Sequence, residues 1–407
     1  MKDDHGIQTL IQPSSIRIFP DAAYTEAGAV VQEDLSSCPV VFGVKEMPVD
    51  FFRSGKTYVF FSHTIKGQDY NMPMLKKMMA LGCNLIEYEK VADEKGRLLF
   101  FGRYAGLAGM MDTLWALGQR LRWEGTENPF SSLRMTHEYP SLEDVKRAVT
   151  AAGQRIVSDG LDASLLPVVC GFAGYGHVSR GAQEIFDLLP VTEIPPKSLS
   201  DINALPGDSR RTLYKVVFKE KHLVEPVSPD TEFHLQDYYD HPEKYRSVFG
   251  QYTSSLTLFI NAIYWTPSYP RLITKTALKR LFENNPKPHL RVIGDITCDI
   301  GGAVEFTVKA TRPDNPIFVY DPISGQTNDG HEGRGVVVMS VDNLPCELPR
   351  ASSLVFGNVL SRFIPEIAAA DFSVSYDNLK LSPPIKNSVI LHRGELTPPF
   401  QYMKQFI

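Results

Sequence analysis

The segment that most constrains the fold of this 407-residue chain is a glycine turn between an apolar run and a helical pattern. The apolar run and the turn Gly174-Tyr175-Gly176 lie within residues 166–179, and a helical pattern at residues 180–189 follows. A strand, a glycine turn and a helix in this order form the phosphate-binding start of a dinucleotide-binding unit. The sequence therefore predicts a Rossmann-like domain with a parallel sheet.

The residues of this turn have predicted roles in binding a nucleotide pyrophosphate. Gly174 permits the tight turn, and Gly176 lets the backbone approach the phosphates. The exposed N–H groups of the following helix offer the anion hydrogen bonds without a cationic side chain. Ser179 replaces the third glycine of the usual fingerprint. The alternative is a purely structural turn, since glycines also join strands to helices without binding a ligand.

Length and composition define the class of protein. A chain of this length is long for one hydrophobic core, so two domains are expected. The chain is 43% hydrophobic and carries a net charge of −5, which gives no reason to expect nucleic acid or a membrane surface as a partner. No apolar stretch approaches the roughly 18 residues that span a bilayer, and no signal peptide is recognisable. The expected location is intracellular, in the cytoplasm or an organelle such as the mitochondrial matrix.

The cysteines show neither CxxC spacing nor Cys/His ligand spacing. This pattern predicts no zinc site, no other metal site and no disulfide framework. We expect buried free thiols at Cys38, Cys83, Cys170, Cys298 and Cys346.

The first third of the chain alternates strand-like and helix-like patterns. Three short apolar runs have the length and the β-branched content of buried parallel strands, at residues 40–44, 57–61 and 84–88. A long helical pattern at 104–121 contains small residues that would allow close packing against another backbone. We therefore predict a substrate and catalytic domain over residues 1–130.

Residues 131–349 are predicted to form the nucleotide-binding domain, with an insertion at about 195–252 where charge and proline are frequent. Strand-like runs near 256–264 and 290–296 end in polar residues. Ligands bind beyond the carboxyl ends of parallel strands, so we expect three side chains to face the cleft: Asn261, Asp295 and Asp299. The C-terminal segment, about 350–407, starts with a helical pattern that could pack on either domain. The expected fold class is α/β, with two Rossmann-like domains, parallel sheets and an active-site cleft between the domains.

Polar side chains follow the predicted strands of the first domain, in four clusters: Lys45 with Glu46, His63 with Lys66, Glu87 with Glu89, and Arg97 with Arg103. Taken singly, each has a structural explanation, such as a solvated turn or a hydrogen-bonded core histidine. Taken together, a lysine, a histidine and several carboxylates suit acid–base chemistry beside a nicotinamide, and arginines suit a substrate with carboxylates.

These residues belong to longer motifs that occur in order over nearly the whole chain. The motifs are Gly43-Val-Lys-Glu-Met-Pro48, Phe60-Phe-Ser-His-Thr-Ile-Lys66, Tyr88-Glu89, Phe101-Gly-Arg-Tyr-Ala-Gly106, Val178-Ser-Arg-Gly-Ala-Gln183, Asp240-His-Pro-Glu-Lys-Tyr245, Ile260-Asn-Ala-Ile-Tyr-Trp265, Asp295-Ile-Thr-Cys-Asp-Ile-Gly-Gly302 and Ser340-Val-Asp-Asn-Leu-Pro345. The chain thereby resembles the lysine-ketoglutarate reductase half of the bifunctional aminoadipic semialdehyde synthases. Lysine-forming saccharopine dehydrogenases and alanine dehydrogenase look like more distant relatives with the same two-domain plan.

The resemblance implies a reaction in which L-lysine and 2-oxoglutarate condense to an imine that NADPH reduces to saccharopine. It also implies roles for single residues: Lys45 and His63 would be the acid–base pair, Glu46 and Glu89 would tune it, Lys66 and Arg103 would hold substrate carboxylates, Asp295 would reach the active site, and Gly174, Gly176, His177, Val178 and Ser179 would form the pyrophosphate turn. From its position at a strand end, Asn261 is expected to contact the cofactor. A homo-oligomer is left open.

The chain departs from the family pattern at both ends. Family members start with an additional strand carrying an Arg-Arg-Glu type sequence, and the N-terminal residues here already match the second strand. We therefore expect weak binding of substrate carboxylates and a weak reductase rate. The saccharopine dehydrogenase half does not follow after Ile407, so that second activity is expected to be absent.

Two alternatives stay open, a lysine-forming, NAD-dependent saccharopine dehydrogenase and a catalytically weak homologue that binds nucleotide or lysine. Cofactor choice separates the enzymes, because an acidic residue after the second nucleotide strand favours a free ribose 2′-hydroxyl and basic residues favour a 2′-phosphate. With residues 191–194 as that strand, Glu193 is ambiguous. Downstream, Lys197, Arg210 and Arg211 favour NADPH, with NADH as the alternative.

Overall fold

The computed structural model describes residues 5–407, and the chain divides into two compact units. The first unit consists of residues 1–100 and 353–407, and the second of residues 101–352. Sequence analysis placed the first crossing near residue 130. The difference arises because the helix at Gly102–Trp123 is buried in the core of the second unit and so belongs to it.

The first unit begins with a small parallel pair of strands and continues into a layered α/β arrangement. In chain order its elements are β1 (Leu10–Ile11), α1 (Asp21–Glu26), β2 (Val30–Val31), β3 (Val40–Phe42), β4 (Thr57–Phe60), α2 (Met72–Ala80), β5 (Asn84–Glu87), β6 (Ala92–Asp93) and β7 (Gly96–Arg97).

The second unit contains the long sheet and the helices that cover it. Its elements are α3 (Gly102–Trp123), α4 (Leu142–Asp159), β8 (Val169–Ala173), α5 (His177–Phe186), β9 (Val191–Glu193), β10 (Leu213–Phe218), α6 (Glu220–Leu223), β11 (Val224–Pro226), α7 (Leu235–Asp240), β12 (Tyr245–Ser247), β13 (Leu258–Asn261), α8 (Lys275–Asn284), β14 (Val292–Asp295), β15 (Ile317–Tyr320), β16 (Thr327–Asp329) and β17 (Val336–Met339). The chain leaves this unit within α9 (Pro349–Leu360), and α10 (Ile364–Ala369), α11 (Pro383–Lys386), β18 (Val389–His392), β19 (Glu395–Leu396) and a 3₁₀ segment (Pro398–Phe406) follow.

The sheet of the first unit has the order β19-β18-β5-β4-β3. Its strands β3, β4 and β5 run parallel, and β18 pairs antiparallel with β5. Strands β4 and β5 are buried along their whole length, as expected for parallel strands covered on both faces. Because β18 and β19 complete this sheet, the C-terminal segment packs on the first unit.

The sheet of the second unit has the order β16-β15-β17-β14-β13-β8-β10-β9. All neighbouring strands pair parallel except at β15, which runs antiparallel to both β16 and β17. Strand β10 lies between β9 and β8 and is almost wholly buried. The predicted insertion at about 195–252 is therefore wrong in part, since it contains a central strand. The apolar run Leu213–Phe218 is the local signal for that strand, and its position in the sheet is set by contacts far apart in sequence.

Helix α3 is buried around most of its circumference, because its apolar and small residues are spread over every face. Full burial of a side chain such as Leu107 or Leu114 contributes about 1.5–3 kcal/mol to folding. At Gly106 a Cβ would collide with the backbone of α5 at Val178 and Ala182. This close helix contact confirms the prediction from the small residues of the helical pattern.

Two further expectations concern the thiols and membranes. All five cysteines are free, but only Cys83 and Cys170 are buried and Cys346 is exposed, so the expectation of uniformly buried thiols is wrong. Within residues 5–407, no helix combines the length and the apolar character that crossing a membrane would require.

Candidate active site

In the first unit, Glu46 and His63 meet at the carboxyl edge of the parallel strands. Strands β3 and β4 end side by side, and their pairing continues where Phe61 N donates to Val44 O at 3.0 Å. The two following loops therefore leave the sheet together. His63 Nδ1 lies 2.5 Å from Glu46 Oε1. His63 has a φ of 48°, a left-handed backbone conformation that is uncommon for a non-glycine residue.

Asn71 supports this pair from the start of α2. Its Nδ2 donates to Glu46 Oε1 at 3.2 Å and to the carbonyl oxygen of His63 at 3.4 Å. Burial favours the neutral form of Glu46, but the hydrogen bonds from His63 and Asn71 prevail and hold the pKa of Glu46 below its usual range. The charged carboxylate then fixes the Nδ1–H tautomer of His63, which leaves Nε2 to exchange a proton with a substrate.

A second carboxyl group, Glu87, lies beneath the loop that carries His63. Glu87 is fully buried at the end of β5 and accepts hydrogen bonds from Ser62 N at 2.8 Å, from Ser62 Oγ, and from Glu89 N at 3.0 Å. Burial raises the pKa of Glu87 above its usual range. Sequence analysis grouped Glu87 with the rim carboxylates, whereas its contacts are those of a residue that positions the loop.

Glu89 reaches His63 only through intermediate side chains. Its Oε1 lies 3.6 Å from Arg97 Nη1, and the Arg97 guanidinium lies over the Phe61 ring at 5.4 Å. The Phe61 ring stacks with His63 at a centroid distance of 6.3 Å. Glu89 can therefore tune His63 only indirectly, and its predicted role in the acid–base pair stays a prediction.

The two lysines predicted for this site are both exposed. Lys45 precedes Glu46 on the same loop, and within residues 5–407 its Nζ has neither a hydrogen-bond nor an ion-pair partner. The loop of Lys66 is held by the C-terminal segment, since Tyr402 donates its hydroxyl to Ile65 O at 2.9 Å. Sequence analysis did not identify Tyr402, because the contact spans 337 positions.

In the second unit, the glycine turn follows β8 as predicted. Gly174 has a φ of 95°, and a Cβ there would lie 2.9 Å from Ala262 O, so the backbone itself requires glycine. Gly176 has a φ of −76°, and a Cβ there would have no neighbour within 4 Å. Glycine at 176 is thus not required for folding, and it keeps open the space that a phosphate would occupy.

Helix α5 begins directly after this open space. Gly176 is its N-cap, and no side chain caps it, so the first N–H groups have no acceptor within the helix. The side chain of Ser179 is buried, and its hydroxyl accepts from Gln183 Nε2 at 3.0 Å. Val178 packs against α3 at Gly102. Residues 178 and 179 can therefore contribute only backbone N–H groups to a pyrophosphate site.

A cavity of about 490 Å³ adjoins the turn and is lined by Gly174, Tyr175, Gly176, Glu220, Tyr239 and Tyr264, among others. The Glu220 carboxylate accepts hydrogen bonds from Tyr175 OH at 3.2 Å and from Tyr239 OH at 2.8 Å. The turn, the helix start and this cavity fit a dinucleotide. The sequence patterns gave no signal for the side chains of Tyr175, Glu220 and Tyr239 at this site.

These side chains were not predicted because of the strand order: on the side of β8 away from β13, the neighbouring strand is β10 and not β9. Glu220 is the second residue after the carboxyl end of β10, whereas Glu193 lies on the edge strand and pairs with Lys215 at 3.0 Å. Arg210 and Arg211 precede β10 and so lie at the amino ends of the strands, away from the turn. Arg211 donates to Val157 O. Arg210 and Arg211 therefore give no reason to prefer NADPH, whereas Lys197 follows the carboxyl end of β9. The preference itself stays untested.

Asn261 and Asp295 end neighbouring strands, as predicted, but both side chains are buried. Asn261 Nδ2 donates to Asp295 Oδ1 at 2.8 Å, and Thr307 Oγ1 donates to Asp295 Oδ2 at 2.5 Å. Burial raises the pKa of Asp295 despite these hydrogen bonds. The expectation that both side chains face open space needs correction, because neighbouring strands and loops cover them.

Arg103 is engaged within the second unit. Its Nε and Nη2 donate to the two carboxylate oxygens of Glu184 at 2.8 and 2.7 Å, and these bonds raise its pKa. Lys146 Nζ donates to the same carboxylate at 2.8 Å. The bidentate fork that sequence analysis assigned to a substrate carboxylate is thus occupied by Glu184, 81 positions away.

Comparison with known proteins gives matches to both parts of the chain. Residues 3–108 match the family model described as alanine dehydrogenase/PNT, N-terminal domain, and residues 247–399 match the corresponding C-terminal domain. The α-aminoadipic semialdehyde synthase of Arabidopsis thaliana is 38% identical over 416 residues, which cover 99% of this chain and 38% of that protein. The mitochondrial α-aminoadipic semialdehyde synthase of Mus musculus is 35% identical over 414 residues, which cover 98% of this chain and 44% of that protein. The chain thus spans about two fifths of the length of these relatives.

Among solved structures, an L-alanine dehydrogenase aligns with a TM-score of 0.60 and 17% identity, over 98% of this chain and 91% of that chain. At this identity the match shows a shared fold alone. It confirms the prediction of an α/β chain with Rossmann-type parallel sheets.

Proposed function

The chain belongs to the alanine dehydrogenase/PNT family, and from this premise we propose that it is an oxidoreductase of lysine catabolism that condenses L-lysine with 2-oxoglutarate and reduces the product to saccharopine. The observation that carries the proposal is the contact between His63 Nδ1 and Glu46 Oε1 at the carboxyl edge of the first sheet. Support comes from the identity to α-aminoadipic semialdehyde synthases along nearly the whole chain.

The proposed chemistry needs proton transfers that the Glu46–His63 pair suits. An amino group of lysine attacks the keto carbon of 2-oxoglutarate, and loss of water from the carbinolamine forms an imine. His63 Nε2 would take a proton from the attacking amine and return it to the departing hydroxyl. Glu46 would hold the imidazole in one orientation and stabilise its protonated form.

A nicotinamide nucleotide held at the turn 174–176 would supply, when bound, the hydride that reduces the imine carbon. The open space at Gly176 and the uncapped N-terminus of α5 would receive the pyrophosphate. We further propose that Lys66 and Lys45, both exposed on loops of the same sheet edge, bind carboxylate groups of the substrates or share in proton transfer.

Glu220 bears on which nucleotide is used. A carboxylate after the strand that neighbours the nucleotide-binding strand favours a free ribose 2′-hydroxyl and opposes a 2′-phosphate. The Glu220 carboxylate is held in place by two tyrosine hydroxyls, whereas Lys219 Nζ lies over the Tyr175 ring at 5.8 Å. We therefore propose a preference for NADH over NADPH. The same observation favours a second candidate function, the NAD-dependent, lysine-forming oxidation of saccharopine.

A turnover assay tests both functions. The purified chain is incubated with reduced nucleotide, L-lysine and 2-oxoglutarate, nucleotide oxidation is followed by absorbance, and the product is identified by mass spectrometry. Saccharopine formed only when both substrates are present would support the proposal. A faster reaction from saccharopine and NAD would favour the second candidate. Nucleotide binding without turnover in either direction would contradict both and indicate a binding protein.

A further inference from the structure

A second cavity, of about 370 Å³, lies at the opposite edge of the sheet in the second unit. Its walls come from the end of α3, the loop after α8, and the residues that precede β14 and β17. These are the amino ends of parallel strands, whereas the turn 174–176 follows a carboxyl end. The two cavities therefore lie at opposite ends of the strands, and each strand residue adds about 3.3 Å to the distance between them.

The charges around this cavity do not balance. Glu124, nearly buried at the end of α3, contacts three cations: Arg120 Nε at 2.7 Å, Arg291 Nε at 3.0 Å and Lys287 Nζ at 3.5 Å. Three cations on one carboxylate leave a net charge of +2. A fourth cation of the lining, Arg334, is paired with Asp321 at 2.7 Å and does not change this balance.

Arg120 and Arg291 differ in how far their donors are used. Arg120 also donates to the carbonyl oxygens of His331, Gly333 and Gly335, so it ties the loop before β17 to α3. The Arg291 side chain is only 10% exposed. Within residues 5–407, its sole hydrogen bond is the one from Nε to Glu124, and its terminal Nη groups have no protein acceptor. Because Arg291 lines the cavity, these Nη groups keep donors available to a ligand there.

The remaining wall of the cavity is apolar. Trp123, Phe282 and Leu290 contribute to it, and Arg120 lies over the Trp123 ring at 4.7 Å. Burial lowers the pKa of Arg120 although Glu124 opposes this shift, and the positive charge of Arg291 adds a smaller lowering. The cavity therefore joins unpaired cationic donors to aromatic and aliphatic surface.

We propose that this cavity is a binding site for a small organic anion, whose carboxylate or phosphate group is held by Arg291 and Lys287 and whose apolar part lies against Trp123 and Phe282. This site is separate from the proposed active site, and its occupation does not depend on the proposed reaction. Carboxylates and phosphates both offer paired oxygens to a guanidinium fork, so Arg291 would recognise either group in the same way.

Calorimetric titration of the full chain with benzoate, phenyl phosphate and the neutral benzyl alcohol tests the site. We expect saturable binding of at least one of the two anions, with the stronger one indicating which oxyanion is preferred, and no binding of benzyl alcohol. Lys287→Met should weaken the anion at least tenfold, and since Lys287 is exposed the fold should persist. Arg291→Met should weaken it at least as much. Lys279→Met, an exposed cation on α8 whose partner Glu283 is 3.9 Å away, is the matched control and should bind normally.

A Gly176→Val variant should bind the anion as the wild type does, since residue 176 lies at the other edge of the sheet. The proposal is wrong if neither anion saturates at millimolar concentrations, or if Lys287→Met and Arg291→Met bind as tightly as the control. It is also wrong if benzyl alcohol binds equally well, because the charges would then play no part.

Discussion

Tyr175, the middle residue of the glycine turn, donates its hydroxyl to the carboxylate of Glu220, which follows 45 positions later, at 3.2 Å. The contact joins the phosphate-binding turn to the end of the neighbouring strand β10. In dinucleotide-binding units this is where the ribose of the adenosine half lies. The contact therefore makes Glu220 the residue whose charge is expected to decide between the two nucleotides.

Glu220→Gln keeps the shape of the side chain and removes its charge. We expect the ratio of the NADPH to the NADH dissociation constant to fall about tenfold, which corresponds to about 1.4 kcal/mol, because the 2′-phosphate no longer meets a carboxylate. Fluorescence titration with both nucleotides measures the ratio. Glu225→Gln, which removes an exposed carboxylate paired with Arg246 on β11 and β12, should leave the ratio unchanged. An identical ratio in Glu220→Gln and wild type would refute the assignment.

Gly176→Val and Gly174→Ala separate ligand binding from folding. At 176 the added side chain enters empty space, so the protein should keep its stability and lose the stabilisation by nucleotide, which is about 2.7 kcal/mol at a hundred times the dissociation constant. At 174 the added Cβ meets Ala262 O with a positive φ, so the unliganded protein should be destabilised. Thermal unfolding with and without nucleotide distinguishes the two. A normal nucleotide shift in Gly176→Val would show that the turn does not bind phosphate.

His63→Gln should lower the turnover number by roughly 10² to 10⁴-fold, the usual range for a general acid–base group, while nucleotide affinity stays nearly constant. Lys45 is predicted to share the acid–base role with His63, and Lys45→Met tests this in the same assay. Full activity in both variants would return these residues to a structural role.

Glu46→Gln should act through His63, because the neutral amide cannot stabilise a protonated imidazole. We expect a lower turnover number with little change in KM and an altered pH profile. The lowered pKa of Glu46 also has a consequence for folding: the contribution of the pair to stability is present above the ordinary carboxyl pKa of 4.5 and is lost as the pH falls through the lower, folded value. The free energies of unfolding of the wild type and of Glu46→Gln, measured across that pH range, should therefore become equal at the lowest pH.

Glu347 and Asp112 provide a pH test in the core of the second unit. Both are buried, and burial followed by the charge of Asp112 raises the pKa of Glu347 to about 10. Thr136 donates to Asp112 through its N–H and its hydroxyl, and His137 Nδ1 lies 3.9 Å from Glu347 Oε2. The folded state thus retains a proton that the unfolded chain releases above its ordinary carboxyl pKa of 4.5.

Because the unfolded state binds fewer protons, the stability of the wild type should fall as the pH rises from about 4.5 toward 10, by at most about 1.4 kcal/mol per pH unit. Glu347→Gln mimics the protonated acid and should remove this slope. The stability of the variant relative to the wild type should therefore increase with pH. Chemical unfolding at a series of pH values measures it. A difference that is independent of pH would show that the pair does not share a proton.

The features that the sequence predicted correctly are local. The strands β3, β4, β5, β8, β13 and β14 and the glycine turn follow from patterns within a few residues, since strand and turn preferences arise from neighbouring side chains. The polar residues after these strands, including Glu46 and His63, were predicted to lie at one sheet edge because parallel strands bring their carboxyl ends together.

Only the tertiary structure decided which elements are neighbours. Strand β10 lies beside β8 although β9 precedes it in sequence, and this order makes Glu220, rather than Glu193, the residue next to the turn. The partner of Arg103 is Glu184, and the loop of Lys66 is held by Tyr402 from the end of the chain. Strand order and ion-pair partners depend on contacts between segments far apart in sequence, whose free energies no local pattern encodes. The sequence by itself therefore determined the chemistry available at each strand end, and the packing of distant segments determined which of those groups meet.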